Sequence, residues 1–150
     1  MKQKLKQAYM KTAETFAELS HARRLHVGAI VVKDDRIISI GYNGMPAGWD
    51  NNCEFEIYEE NGDDEPEVIL KTRPEVLHAE TNAIAKLARS NESGLDGDLF
   101  VTHAPCLDCA KLIYQSGIKR VWYRTAYRDN AGVDFLKASQ VRVEQLEKDA

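Results

Sequence analysis

The chain has 150 residues, enough for one domain with a substantial core, and 43% of them are apolar against 29% charged. Twenty Lys and Arg against 24 Asp and Glu leave a net charge of −4, which disfavours a polyanionic nucleic-acid partner while leaving room for a small anion held by local Arg residues. No apolar run is long enough for a membrane helix, Met1-Lys2-Gln3-Lys4-Leu5-Lys6 lacks an apolar leader, and three Cys are too few for a disulfide framework, so one cytoplasmic domain over residues 1–150 is expected.

Residues 2–20 place Leu5, Ala8, Tyr9, Thr12, Ala13, Phe16, Ala17 and Leu19 close to a helical repeat and predict an amphipathic helix packed on a sheet. Val27-Gly28-Ala29-Ile30-Val31-Val32 is almost wholly apolar, Asp34-Asp35 signals a turn, and Arg36 to Tyr42 reads as a second strand, so the pair predicts a β-hairpin. Asn43 to Asn52 is loop, broken by Gly44, Pro46 and Gly48. Glu54 to Glu67 is strongly acidic and reads as a solvated excursion, the best candidate for an insertion or for disorder. A helical pattern returns at Val76, Leu77, Ala79, Ala83, Ile84, Leu87 and Ala88 and stops near Ser93-Gly94. Asp98 to Thr102 then predicts a strand, Cys106 to Ser116 a helix with Gly117 just beyond its cap, Ile118 to Arg124 a strand, Val133 to Ser139 a helix and Val141 to Val143 a last strand. Strands alternating with helices from residue 77 onward require crossovers, so the expected fold is α/β: a three-layer α/β/α sandwich around a mixed five-stranded sheet.

Two short motifs carry chemistry. His78-Ala79-Glu80 opens one predicted helix, and Pro105-Cys106-Leu107-Asp108-Cys109 opens the next. Pro105 suits a first helical turn, and Cys106 and Cys109, three apart, then share a face. The helix N-terminus favours thiolate over thiol. With His78 the two thiolates fill three corners of a zinc tetrahedron and leave the fourth for water. Zinc brings that water's pKa to about 7. Glu80 is not a ligand; it is placed to take the water's proton, pass it to the substrate and protonate the leaving group. The same donors completed by Cys53 or His103 would make a closed structural site. A thioredoxin-like redox pair lacks the surrounding βαβ pattern.

Val27-Gly28-Ala29, Gly41-Tyr42-Asn43-Gly44-Met45-Pro46-Ala47-Gly48, His78-Ala79-Glu80-Thr81-Asn82-Ala83-Ile84, Pro105-Cys106-x-x-Cys109-Ala110-Lys111 and Val121-Trp122-Tyr123 together resemble the deoxycytidylate (dCMP) deaminases of the cytidine deaminase superfamily, from about Ala22 to Val143. The zinc motif is common to the superfamily; the Gly-Tyr-Asn-Gly-x-Pro-x-Gly loop narrows the resemblance to the dCMP branch. It implies a cytidine deaminase-like fold, conversion of dCMP to dUMP for thymidylate synthesis, zinc as cofactor, and a homo-oligomer, often a hexamer. It also implies activation by dCTP, inhibition by dTTP, and Mg2+ on the triphosphate effector. Backbone near Ala79, Thr102 and Ala104 would read the base edge, Asn43 the sugar, and Tyr123 the ring or sugar. Arg23, Arg24 and Arg124 are the candidates for the 5′-phosphate, with His21 and His26 nearby, and Tyr42, Gly44 and Arg89 for an effector site. The competing readings are a deaminase acting on tRNA or single-stranded DNA, which calls for a basic face, and a non-catalytic zinc-stabilised scaffold, which has no need of a carboxylate at Glu80.

Overall fold

A computed structural model describes residues 1–149. Its centre is a five-stranded sheet in the order β2-β1-β5-β6-β7, built from β1 (Gly28–Lys33), β2 (Arg36–Tyr42), β5 (Asp98–His103), β6 (Arg120–Thr125) and β7 (Arg142–Gln145). β1 runs antiparallel to both β2 and β5, whereas β5, β6 and β7 are parallel, so the sheet is mixed as expected. Asp34 and Asp35 close the first hairpin with φ of 52° and 57°. Positive φ at both central residues is the turn whose twist matches that of paired strands, and Asp tolerates it better than most residues.

Successive residues of a strand face opposite sides, and here both sides are buried. Ile30, Val32, Phe100 and Trp122 meet Met10 and Ala13 of α1 (Gln3–Ala17). Ala29, Val31, Leu99, Val101, Val121 and Val143 meet the other three helices, α2 (Ala79–Ala88), α3 (Leu107–Gln115) and α4 (Ala131–Ala138). This explains why β1 and β5 read as unbroken apolar runs rather than alternating ones. The three-layer α/β/α sandwich is therefore as expected, with α1 alone on one face.

Two close approaches fix the helices that carry the motifs. A Cβ on Gly41 of β2 would lie 2.3 Å from the carbonyl oxygen of Ala79, so the first turn of α2 rests directly on strand backbone. A Cβ on Gly132 would lie 2.1 Å from the carbonyl oxygen of Pro105, so α4 sits against the peptide that leads into α3.

The acidic segment departs from expectation. Instead of a disordered stretch it forms a second, two-stranded antiparallel sheet of β3 (Glu54–Asn61) and β4 (Asp64–Thr72). Tyr58 pairs with Val68 and Ile57 with Ile69, and Gly62 turns the tip with φ 64°. Alternating Phe55, Ile57, Val68 and Leu70 among the carboxylates was the legible strand signal, outweighed by charge.

Candidate metal and substrate site

The two motif helices begin side by side. His78 is the N-cap of α2 and Cys106 the N-cap of α3, with Cys109 in the first turn. Pro105 thus lies one residue before the cap rather than inside the helix. The sulfurs of Cys106 and Cys109 lie 3.5 and 3.3 Å from His78 Nδ1. Tetrahedral zinc with bonds of about 2.3 Å to sulfur and about 2.0–2.1 Å to nitrogen separates those atoms by about 3.5 Å, so the donor set fits that ion. Among the described residues, His78, Cys106 and Cys109 are the group that could hold a metal, and neither Cys53 nor His103 joins them. Three donors leave a coordination position open, the pattern of catalytic rather than closed structural zinc.

The electrostatics suit a dication. Hydrogen bonds from Cys109 and His78 hold the Cys106 thiol down at about 4, against the opposing effect of burial. The Cys109 thiol is pushed up by the neighbouring Cys106 sulfur and by burial. The pair thus favours one thiolate, and a bound cation would draw off the second thiol proton. Bonding to Cys106 raises His78, again against burial.

Glu80, in the first turn of α2, is only 4% exposed. Burial pushes its carboxyl up to about 7, only partly offset by its own backbone N–H and by His78. A carboxyl poised there can both accept and return a proton near neutrality.

His78, Glu80 and Cys106 line a cleft of about 430 Å³, with Cys109 buried behind them, together with Ala22, Arg24, Leu25, Val27, Asn43, Cys53, Glu54, Thr72, Val76, Ala79, His103, Ala104 and the Ala126-Tyr127-Arg128 loop. Of the residues expected at the substrate, Asn43, Ala79, Ala104 and Arg24 face it. Asn43 is also committed locally: Oδ1 accepts from the Val27 N–H at 2.9 Å, and Nδ2 donates to the Leu25 carbonyl at 2.7 Å.

Three of the residues expected at the substrate are not among the cleft lining. Thr102 does not line this cleft; its buried hydroxyl accepts from the Gly28 N–H at 3.2 Å and lies 2.9 Å from His103 Nδ1. Tyr123 is half-buried and packs against the core. Arg124 stands on the α1 side, outside the cleft lining, donating to Glu14, Gln7 and the Leu146 carbonyl.

Arg23 is likewise taken, 2.9 Å from Glu56. His26 Nε2 lies 2.6 Å from the Ala22 carbonyl, and His21 is exposed. The effector candidates lie outside the cleft lining. Tyr42 accepts at its carbonyl from Asn82 and has the Lys86 ammonium 6.0 Å from its ring. Gly44 exchanges backbone hydrogen bonds of 3.1 and 2.8 Å with Leu77, fastening its loop to the residue before His78. Arg89 is exposed at the end of α2.

The unforeseen polar residues of the cleft come from the root of the β3–β4 hairpin and from the loop after β6, while Ala22, Leu25, Val27 and Val76 add apolar wall from the segments before β1 and α2. Arg128 sits in Tyr127-Arg128-Asp129-Asn130, where nothing in the sequence separates it from a solvated surface charge. Arg24 and Arg128 are the cleft's two guanidiniums, and neither forms an ion pair among the described residues.

Three protein donors, an open position and a buried carboxyl poised near 7 make a hydrolytic metal centre at the mouth of an α/β sheet. Residues 3–125 match the family of the cytidine and deoxycytidylate deaminase zinc-binding region. The chain belongs to that family. It is similar to ComE operon protein 2 of Bacillus subtilis, 34% identical with 95% of this chain and 71% of the relative covered. It is also 35% identical to the deoxycytidylate deaminase of Enterobacteria phage T4, with 69% of each chain covered. Among solved structures, the dCMP deaminase of cyanophage S-TIM5 in complex with dCMP and dUMP superposes with a TM-score of 0.85 at 46% identity, covering 97% of this chain and 98% of that one.

Proposed function

We propose that the chain is a single zinc-dependent deaminase domain that hydrolyses dCMP to dUMP and ammonia. The observation that carries this is one cleft lined by the metal donors His78 and Cys106, with Cys109 completing the donor set behind them, by the buried Glu80 carboxyl and by two guanidiniums free of carboxylate partners among the described residues. The S-TIM5 relative, solved with dCMP and dUMP, supports the same choice of nucleotide.

His78, Cys106 and Cys109 would hold the zinc, which supplies an activated water. Glu80 would take that water's proton and deliver it to N3 of the pyrimidine as the oxygen attacks C4. It would then take the proton of the new C4 hydroxyl and pass it to the 4-amino group, so that the C4–N bond breaks, ammonia leaves and the 4-oxo group of dUMP remains. Its burial serves this shuttle, because a carboxyl near 7 gives up the proton as readily as it accepts it. Ala79 and Ala104 form walls of the cleft beside the metal donors, suited to reading the base edge through their backbone groups. Arg24 and Arg128 suit the phosphate, since a guanidinium meets phosphate oxygens with two parallel N–H bonds. A tRNA or single-stranded DNA substrate is disfavoured by the net charge of −4 and by an acidic hairpin rooted at the cleft.

The family resemblance extends the proposal to a cytoplasmic homohexamer supplying dUMP for thymidylate, activated by dCTP with Mg2+ and inhibited by dTTP. The test is steady-state loss of cytosine absorbance with dCMP, dCTP, deoxycytidine and CMP in parallel, each with and without dCTP–Mg2+ or dTTP–Mg2+. Turnover of dCMP, raised by dCTP and lowered by dTTP, is the expected result. Turnover without effector response removes the regulation. No turnover with zinc bound moves the assignment to a nucleic-acid substrate or a scaffold.

A further inference from the structure

The acidic hairpin takes no part in the proton chemistry, yet its root forms one wall of the cleft through Glu54 and Thr72 beside Arg24. Glu54 is the first residue of β3, and its side chain is 1% exposed. A carboxylate buried so deeply must have its oxygens satisfied. Here they accept from the backbone N–H of Arg23 at 3.1 and 2.9 Å and from that of Arg24 at 3.1 Å. Directly across the ladder from Glu54 stands Thr72. Its hydroxyl accepts from Arg24 Nη1 at 3.0 Å. The first rung of the hairpin therefore grips Arg24 twice, once by its main chain and once by its guanidinium. Arg23 is drawn away to Glu56, so Arg24 is the guanidinium this wall presents to the cleft.

We propose that Glu54 and Thr72 are positioning residues for the 5′-phosphate of the substrate. Paired at the root of the hairpin, they hold Arg24 against the cleft, so that the hairpin sets the preference for a nucleotide over a nucleoside. The inference rests on dCMP being the occupant. Thr72 engages one of the five N–H donors of Arg24 and leaves the others for phosphate oxygens. Holding a flexible side chain in its bound geometry before the ligand arrives removes an ordering cost from binding.

A double-variant cycle of Thr72→Val and Arg24→Gln in the full, zinc-loaded protein tests this, with kcat and KM for dCMP read separately. Thr72→Val is expected to raise KM about 2–10-fold, the worth of one hydrogen bond, and to leave KM unmoved once Arg24 is already Gln. Arg24→Gln alone is expected to raise KM further than Thr72→Val does. Glu54→Gln turns an NH2 toward backbone donors and risks the fold, so the cycle relies on Thr72→Val. An equal effect of Thr72→Val in both backgrounds, or a fall in kcat at constant KM, overturns the assignment. Wild-type protein that turns over no dCMP overturns the deaminase reading and this inference together. The two failures are told apart by whether the wild type is active.

Discussion

At the scale of single residues the site is dominated by the burial of Glu80. Glu80→Gln keeps the size and loses the titrating group, so kcat is expected to fall about 10²–10⁴-fold while one zinc per chain is retained. Activity with normal metal content, measured side by side, is the outcome that removes Glu80 from the chemistry. The same residue imposes a pH dependence on stability in metal-stripped protein. Its folded-state value of about 7 lies above the ordinary 4.5. Between those values the native state holds more of this proton than the unfolded state, so stability falls as pH rises through the window. The loss is about 3 kcal/mol, complete by about pH 8. Urea titrations at pH 5 and pH 8, after chelation, are expected to show the stability of the wild type falling by this amount relative to Glu80→Gln, since the opposite slope from the depressed Cys106 thiol is common to both proteins. Thr102 is a structural counterpart: its hydroxyl is the acceptor for the Gly28 N–H. Thr102→Val should cost about 1–3 kcal/mol in thermal or urea unfolding, the penalty of stranding a buried donor.

At the scale of elements, the strands and helices that build the central sheet were legible because their side chains answer to a single core. Apolar runs at 29–32 and 99–101 and helical spacing at 79–88 describe surfaces buried inside one chain. The metal ligands were legible too, since His78, Cys106 and Cys109 announce a chemistry that few other uses of those residues share. Which guanidiniums reach the cleft was not. Arg124 and Arg24 are indistinguishable by type and by position beside a strand, and what separates them is Glu14, 110 residues away in sequence. The β3–β4 hairpin was hidden by its charge, because carboxylates that stay in water tolerate strand geometry without favouring it. Replacing Glu59–Glu67 by an Asn-Gly turn keeps the Tyr58–Val68 pair and the root at Glu54 and Thr72. It should shift unfolding by no more than about 0.5 kcal/mol; loss of folded protein would instead place the tip in contacts beyond those of the single chain. Gly132 is the opposite case. A Cβ there strikes the Pro105 carbonyl, so Gly132→Ala should push α4 off the entry to α3. That variant is expected to cost about 1–3 kcal/mol and to weaken zinc retention in a chelator competition more than it weakens α1.

For the whole molecule, the metal is expected to contribute to folding as well as catalysis, since a ligand that binds the native state alone stabilises it by mass action. Chelation should abolish turnover and lower the melting temperature together, and zinc should restore both; a melting temperature indifferent to zinc would show that the donors are held in place without it. No helix among the described residues is long and apolar enough to cross a membrane. The site also has a kinetic side. His78 begins α2 and Cys106 begins α3, 28 residues later. An ion bound to both would be a staple across a closed loop of chain, so that parting α2 from α3 would have to break metal bonds as well as packing. Amide exchange at the two helix starts should then slow when the ion is loaded, which reads the staple without unfolding the protein at all.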